Sequence, residues 1–172
     1  MGLFLTLICV LSGFALAFTH DIAEPRIAAH RAEAERAAVA TVLSSAESVS
    51  AVDLGEEMPD MRGDVRGVFR GVPAGVAFKV AQPGYSGDIV LMVGVSAGEI
   101  TGVEVLEQTE TPGLGARIVE DAFLQRYVGL PAEPGATRQE ADGLAGATIS
   151  AKAVTEAVEL ALEAYAHVGE ER

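Results

Sequence analysis

No Asp, Glu, Lys or Arg occurs before Asp21, and Gly2 to Phe18 is apolar apart from the hydroxyls of Thr6 and Ser12. As a helix this stretch spans about 25 Å at 1.5 Å per residue, slightly short of a roughly 30 Å hydrocarbon core. Two readings fit it. A retained single-pass anchor suits the absence of charge. A cleaved signal peptide suits the modest length and Ala15-Leu16-Ala17, which resembles a cleavage site. The basic flank that either reading prefers is missing, and Arg26, Arg31 and Arg36 all lie on the C-terminal side of the stretch. The positive-inside rule taken alone therefore does not support export of the remaining chain. Flank and length favour the anchor, placed at residues 1–20.

The formal net charge of −13 sits entirely beyond the apolar stretch. With 49 % hydrophobic and 22 % charged residues, the remainder can bury a core and is no disordered polyanion. Its acidic surface repels phosphate backbones, which argues against nucleic acid as a partner. The single cysteine, Cys9, lies in the leader and reads as a buried apolar side chain. It leaves no thiols for a disulfide, a zinc site or an iron–sulfur cluster. His20, His30 and His167 are scattered, and no spacing with carboxylates suggests a metal site.

From Asp21 to about Ser45 the chain is rich in Ala, Arg and Glu, with Pro25 placed for a first turn. Its apolar face is mostly alanine, so it reads as a helical stalk, packed loosely if at all. Ser48 to Arg62 is a weakly signalled join, and residues 21–62 together form stalk and linker. A β-rich stretch comes next. Val76, Phe78 and Val80 alternate with Ala77 and Lys79, as in a half-buried strand. Gly84 to Gly87 is a turn. Ile89 to Val95 is nearly all apolar, as in a strand covered on both faces. Ser96 to Glu99 turns it into Ile100–Glu107, making a hairpin. Glu110 to Gly115 is a loop by composition. A helical piece covers 116–128, and Pro131 to Gln139 is an irregular connection. The last helix runs from about Ile149 to His167, with Val154, Val158, Leu162 and Tyr165 as its apolar stripe and Glu156, Glu159 and Glu163 facing water. The fold class is α+β: an N-terminal transmembrane helix and stalk, then a mainly antiparallel sheet with helices, closed by a C-terminal helix.

The segment that carries chemistry is Asp142-Gly-Leu-Ala-Gly146-Ala147-Thr148-Ile-Ser150, which runs directly into that last helix. Small residues let the backbone approach a bulky group closely. Thr148 stands where the helix starts, and a helix start favours phosphate through unpaired N–H groups and the helix dipole. An ordinary N-cap threonine would look the same, and on physics alone that blander account is the commoner one.

This segment resembles the flavinylation motif of the FMN-binding domain family, which includes the G subunit of Rnf-type electron-transport complexes and the C subunit of the sodium-pumping NADH:quinone reductase. The resemblance implies one covalently bound FMN, moved from FAD by a flavin transferase and esterified through its phosphate to Thr148. Asp142 matches the motif aspartate. Ala145 stands where the family would place Ser or Thr, a lost hydroxyl that bears on efficiency. Two further segments agree: Glu110-Thr111-Pro-Gly113-Leu114-Gly is similar to the loop that lies against the flavin, and Gly84-Tyr85-Ser-Gly-Asp88 is similar to the Rnf G subunit. The resemblance covers roughly residues 65–165 and places the FMN-binding domain at 63–172. It implies cofactor-binding roles for Thr148, Asp142, Gly146, Ala147, Ser150, Glu110, Thr111, Gly113, Leu114 and Tyr85, with no catalytic residue and no metal. For Tyr85, a turn aromatic capping the sheet edge fits equally well.

The function so implied is that of an electron-transfer subunit, not catalytic alone, within an ion-translocating oxidoreductase (translocase) of the bacterial inner membrane. Its domain would lie on the extracytoplasmic side, with other subunits of the complex, the flavin transferase and the membrane as partners. A stand-alone extracytoplasmic flavinylated carrier, a quinone-reductase C-type subunit and a non-redox module whose Thr148 only caps a helix are the alternatives.

Overall fold

A computed structural model describes residues 2–52, 64–73, 75–137 and 144–170. The chain divides into two compact units, Met1–Arg36 and Ala37–Arg172. Helix α1 covers Gly2–Val42 and is long and apolar enough, by length and composition, to cross a membrane. In the first unit its side chains are exposed apart from partial cover at Ala23 and Glu35. Cys9 is among the side chains that no other part of the chain covers. Pro25 lies inside α1, not in a first turn, because the residues between Phe18 and Pro25 contain no helix breaker.

The second unit is built on one five-stranded sheet. Its strands are β1 (Ser48–Val52), β2 (Val65–Val72), β3 (Val76–Pro83), β4 (Asp88–Ser96) and β5 (Glu99–Glu107), in the order β1-β2-β3-β4-β5. Every neighbouring pair is antiparallel. The β4–β5 hairpin turns on Ala97 and Gly98, both at positive φ (53° and 82°), the tight geometry whose twist suits antiparallel strands. Strand β1, part of the supposed join, pairs with β2 over its whole length. Four of its five residues are exposed, so the alternation that marks a half-buried strand never forms in the sequence.

Helix α3 (Thr148–Glu170) covers one face of the sheet. Its stripe is the expected one: Val154, Val158 and Leu162 are fully buried, with Ala151, Ala157, Ala161 and Ala164 beside them. The alanines let the helix lie close upon Phe78, Val80, Leu91 and Val93, which share that core. Tyr165 meets Phe78 edge-on at 6.5 Å.

The opposite face is covered by residues expected to pack loosely. Ala38, Val39 and Val42 of the last turns of α1, together with Leu43, are buried against Ala77 and Met92. This is why β4 is apolar on both faces. Gly94 and Gly102 stand opposite one another in the β4–β5 register, and a Cβ on either would run into Val42. The Thr101 hydroxyl donates to the Val42 carbonyl, satisfying one of the acceptors a helix end leaves open.

The helical piece placed at 116–128 is two shorter ones, a 3-10 turn at Gly115–Val119 and α2 at Asp121–Leu124. Extended backbone at Glu120 (ψ 129°) separates them. Residues 129–132 then run along the outer edge of β5: the Gly129 N–H donates to the Ile100 carbonyl, and the Ile100 N–H donates to the Leu130 carbonyl. The start of that edge, at Glu99 and Ile100, is thereby covered.

Candidate functional site

The turn between β3 and β4, the loop after β5 and the start of α3 converge on one cleft. It is lined by Tyr85, Glu110, Thr111, Leu114, Gly115, Gly146, Ala147, Thr148, Ile149 and Ser150, and has a volume of about 520 Å³, within the roughly 300–1,000 Å³ of small-molecule sites. Eight of the residues named from the sequence therefore meet in space, though the three segments are far apart in the chain. Gly113 does not line the cleft; its φ of +77° shapes the loop that does. Asp142 lies outside the described residues. Gly115 and Ile149 join the lining without having stood out in the sequence, although both lie inside the motifs. Gly115 matters for its missing side chain, which a sequence shows only as one glycine among many.

Glu110 is 4 % exposed, and both of its carboxylate oxygens are used within the protein. Oε1 accepts the backbone N–H groups of Tyr85 (2.8 Å) and Ser86 (3.0 Å). Oε2 accepts the Ser150 hydroxyl at 2.8 Å. The Glu110 N–H in turn donates to the Gln108 side-chain oxygen at 2.6 Å. Hydrogen bonds to a charged group contribute about 1.5–3 kcal/mol each, and these three join all three segments of the cleft.

At the start of α3 the chain turns through Gly146 (φ +84°), where a Cβ would sit 3.4 Å from Leu114 Cδ2. The Ala147 carbonyl accepts the first helical bond, from Ala151 N–H at 2.8 Å. Ala147 is therefore the N-cap, and Thr148 is the first residue past it. The account of Thr148 as the capping side chain does not hold. Its hydroxyl is exposed and bonds to no described residue, and the N–H groups of Thr148, Ile149 and Ser150 have no acceptor among the described residues. An exposed hydroxyl thus stands beside donors that have no acceptor among the described residues, with the positive end of the helix dipole behind it.

Around this polar spot the rim is apolar. Tyr85 (71 % exposed), Leu114 (52 %) and Ile149 (55 %) all project from it. Buried Leu144 and Ala147 anchor the neighbouring backbone into the core. The arrangement suits a ligand with an anionic end and a flat, less polar body. Among the described residues, no group of three or more His, Cys, Asp or Glu side chains is placed to hold a metal ion.

Comparison with known proteins agrees with this chemistry. Residues 84–163 match the family described as FMN-binding domain. The chain is 40 % identical over 87 residues to the G subunit of the ion-translocating oxidoreductase complex of Methanosarcina acetivorans, covering 48 % of this chain and 46 % of that one. It is 34 % identical over 92 residues to the G subunit of the Na(+)-translocating ferredoxin:NAD(+) oxidoreductase complex of Acetobacterium woodii, covering 48 % and 44 %. The match thus spans less than half the length of these relatives. A longer alignment, 26 % identical and covering 92 % of this chain and 86 % of the other, joins it to the G subunit of the proton-translocating ferredoxin:NAD(+) oxidoreductase complex of Clostridium ljungdahlii. The fold is also that of the C subunit of the Na(+)-translocating NADH-quinone reductase from Parabacteroides distasonis, with a TM-score of 0.52, 20 % identity, and 71 % and 77 % of the two chains covered.

Proposed function

We propose that this chain, an FMN-binding domain behind an N-terminal apolar helix, is the G-type subunit of an ion-translocating membrane oxidoreductase and carries one FMN esterified through its phosphate to Thr148. The observation that carries the assignment is the state of Thr148: an exposed hydroxyl with no partner among the described residues, at a helix start whose first N–H groups are free of acceptors there, on the wall of a cleft. The residues fit the group. Thr148 and the first-turn N–H groups would hold the phosphoryl end. Tyr85, Leu114 and Ile149 offer apolar surface to a planar ring, and Thr111 supplies a polar contact beside them. Bound there, FMN would supply the redox chemistry, and the protein would supply position and surroundings.

Loading requires a flavin transferase and FAD. The Thr148 hydroxyl loses its proton and forms the new bond to phosphorus, the pyrophosphate bond of FAD breaks, and AMP leaves. The product gains the mass of FMN less one water. Outside the cytoplasm a dissociating cofactor would be lost by dilution, and an ester bond prevents that loss. The domain would lie on the extracytoplasmic side, anchored by α1, and pass electrons between other subunits of its complex. The alignment with the Clostridium ljungdahlii protein, which covers 92 % of this chain and 86 % of the other and so extends beyond the domain, favours this reading over a stand-alone carrier. Likeness to the quinone-reductase protein, at 20 % identity, speaks to the fold alone.

Intact mass of the protein co-expressed with the transferase, beside Thr148→Val, tests the proposal. One added FMN less water in the parent and none in the variant is the expected result. An unmodified parent, or an equally modified variant, would overturn it.

A further inference from the structure

Glu110 is the one carboxylate buried in the wall of the cleft among the described residues, and its oxygens are turned to the protein. Tyr85 N–H and Ser86 N–H occupy Oε1, and the Ser150 hydroxyl occupies Oε2. Two glycines are shaped around it. A Cβ on Gly84 would strike Oε1, and one on Gly115 would come within 2.5 Å of Oε2 and 2.8 Å of Ser150 Oγ. The backbone of both loops thus approaches the carboxylate closely, and both of its oxygens are already engaged within the protein. Ser150 is 2 % exposed and two residues beyond Thr148, in the same first turn of α3. A tie at Ser150 therefore fixes the position and rotation of the turn that presents Thr148.

We infer that Glu110 is a positioning residue for the loading of Thr148: acting through Ser150, it holds the first turn of α3 against the Tyr85 turn so that the acceptor hydroxyl faces the cleft. This rests on the assignment of Thr148 as the flavin acceptor. Misplacing a reacting group by about 1 Å can slow a reaction by roughly a hundredfold, so the tie acts on the rate of loading, with the acceptor chemistry itself unchanged.

The test uses the full chain in detergent, purified without flavin, then given FAD and limiting flavin transferase, with the initial rate of mass gain as the readout. Ser150→Ala removes one hydroxyl and cuts only the link to α3. It is expected to load roughly ten- to a hundredfold more slowly, while amide hydrogen exchange at Tyr85 and Ser86 stays protected. Glu110→Ala is expected to load slowly and to lose that protection as well. Glu110→Gln is expected to recover most of the parental rate, because its Oε1 still accepts the two N–H groups and its amide can donate to Ser150 Oγ. Parental loading by folded Ser150→Ala would overturn the inference. So would a Glu110→Gln protein as slow as Glu110→Ala with Tyr85 and Ser86 still protected, since charge rather than geometry would then be the cause. A parent that gains no mass would overturn the acceptor assignment itself, and is told apart because it appears without any change at Glu110 or Ser150.

Discussion

Glu159 on α3 accepts the Gly135 N–H on one carboxylate oxygen and the Thr137 hydroxyl, at 2.6 Å, on the other. The helical pattern expects it to face water, and it is instead half-buried, fastening the connection that follows α2. Thr137 is 1 % exposed, so Glu159→Ala would leave a buried hydroxyl and an N–H without their acceptor. A loss of about 1–3 kcal/mol is expected for such orphaned groups; chemical denaturation of Glu159→Ala against the parent measures it, and an unchanged midpoint would rule it out. Helical periodicity assigns Glu159 to the wet face correctly in angle. What it lacks is the partner, which arrives from more than twenty residues upstream. Thr148, Glu110, Leu114 and Tyr85 are legible for the opposite reason: each stands in a short motif whose residue types already imply a turn, a loop or a helix start. The bonding of Glu110 to Ser150 is not legible, because nothing in either motif says that a carboxylate in one will satisfy a hydroxyl in the other.

Among the elements, β4 and α3 are readable because each buries enough surface to impose a pattern: a continuous apolar run in one and a regular stripe in the other. Strand β1 imposes none, being exposed on nearly all its residues. In β2 a register shift between Val65 and Gly67 breaks the alternation, as an extra residue in a ladder does. The last turns of α1 hide their role in another way. Ala38, Val39 and Val42 form a short stripe whose use depends on the facing Gly94–Gly102 pair, where the sheet is bare enough for a helix backbone to settle. Gly94→Ala puts a methyl within 2.5 Å of the Val42 carbonyl oxygen. Overpacking of this kind costs about 1–3 kcal/mol, so a lowered melting temperature with the sheet's circular-dichroism signature retained is expected. An unaltered melting temperature would show that the helix end yields without strain.

At the scale of the molecule, the second compact unit begins at Ala37 and so includes the end of α1. A chain reduced to residues 37–172 is expected to fold with its melting transition close to that of the parent domain. Removing the next residues as well, to leave 44–172, strips Ala38, Val39, Val42 and Leu43 from Met92 and Ala77. Burying a side chain such as Val or Leu contributes about 1.5–3 kcal/mol, so the shorter chain is expected to unfold far more easily. Calorimetry of the two truncations compares them directly, and equal stability would mean that the outer face of the sheet needs no cover. The five strands also pair strictly in chain order, so from β2 to β5 the sheet can zip up with only short loops to close. The helix that completes this core follows all five strands in the chain, and Thr148 heads it. During synthesis Thr148 therefore has no cleft to belong to until the sheet and the loops before it have formed. On the assignment of Thr148 as flavin acceptor, an enzyme that needs that cleft would act, without any added device, as an inspector of folded domains: those arrested or misassembled before this helix docks would leave unmarked.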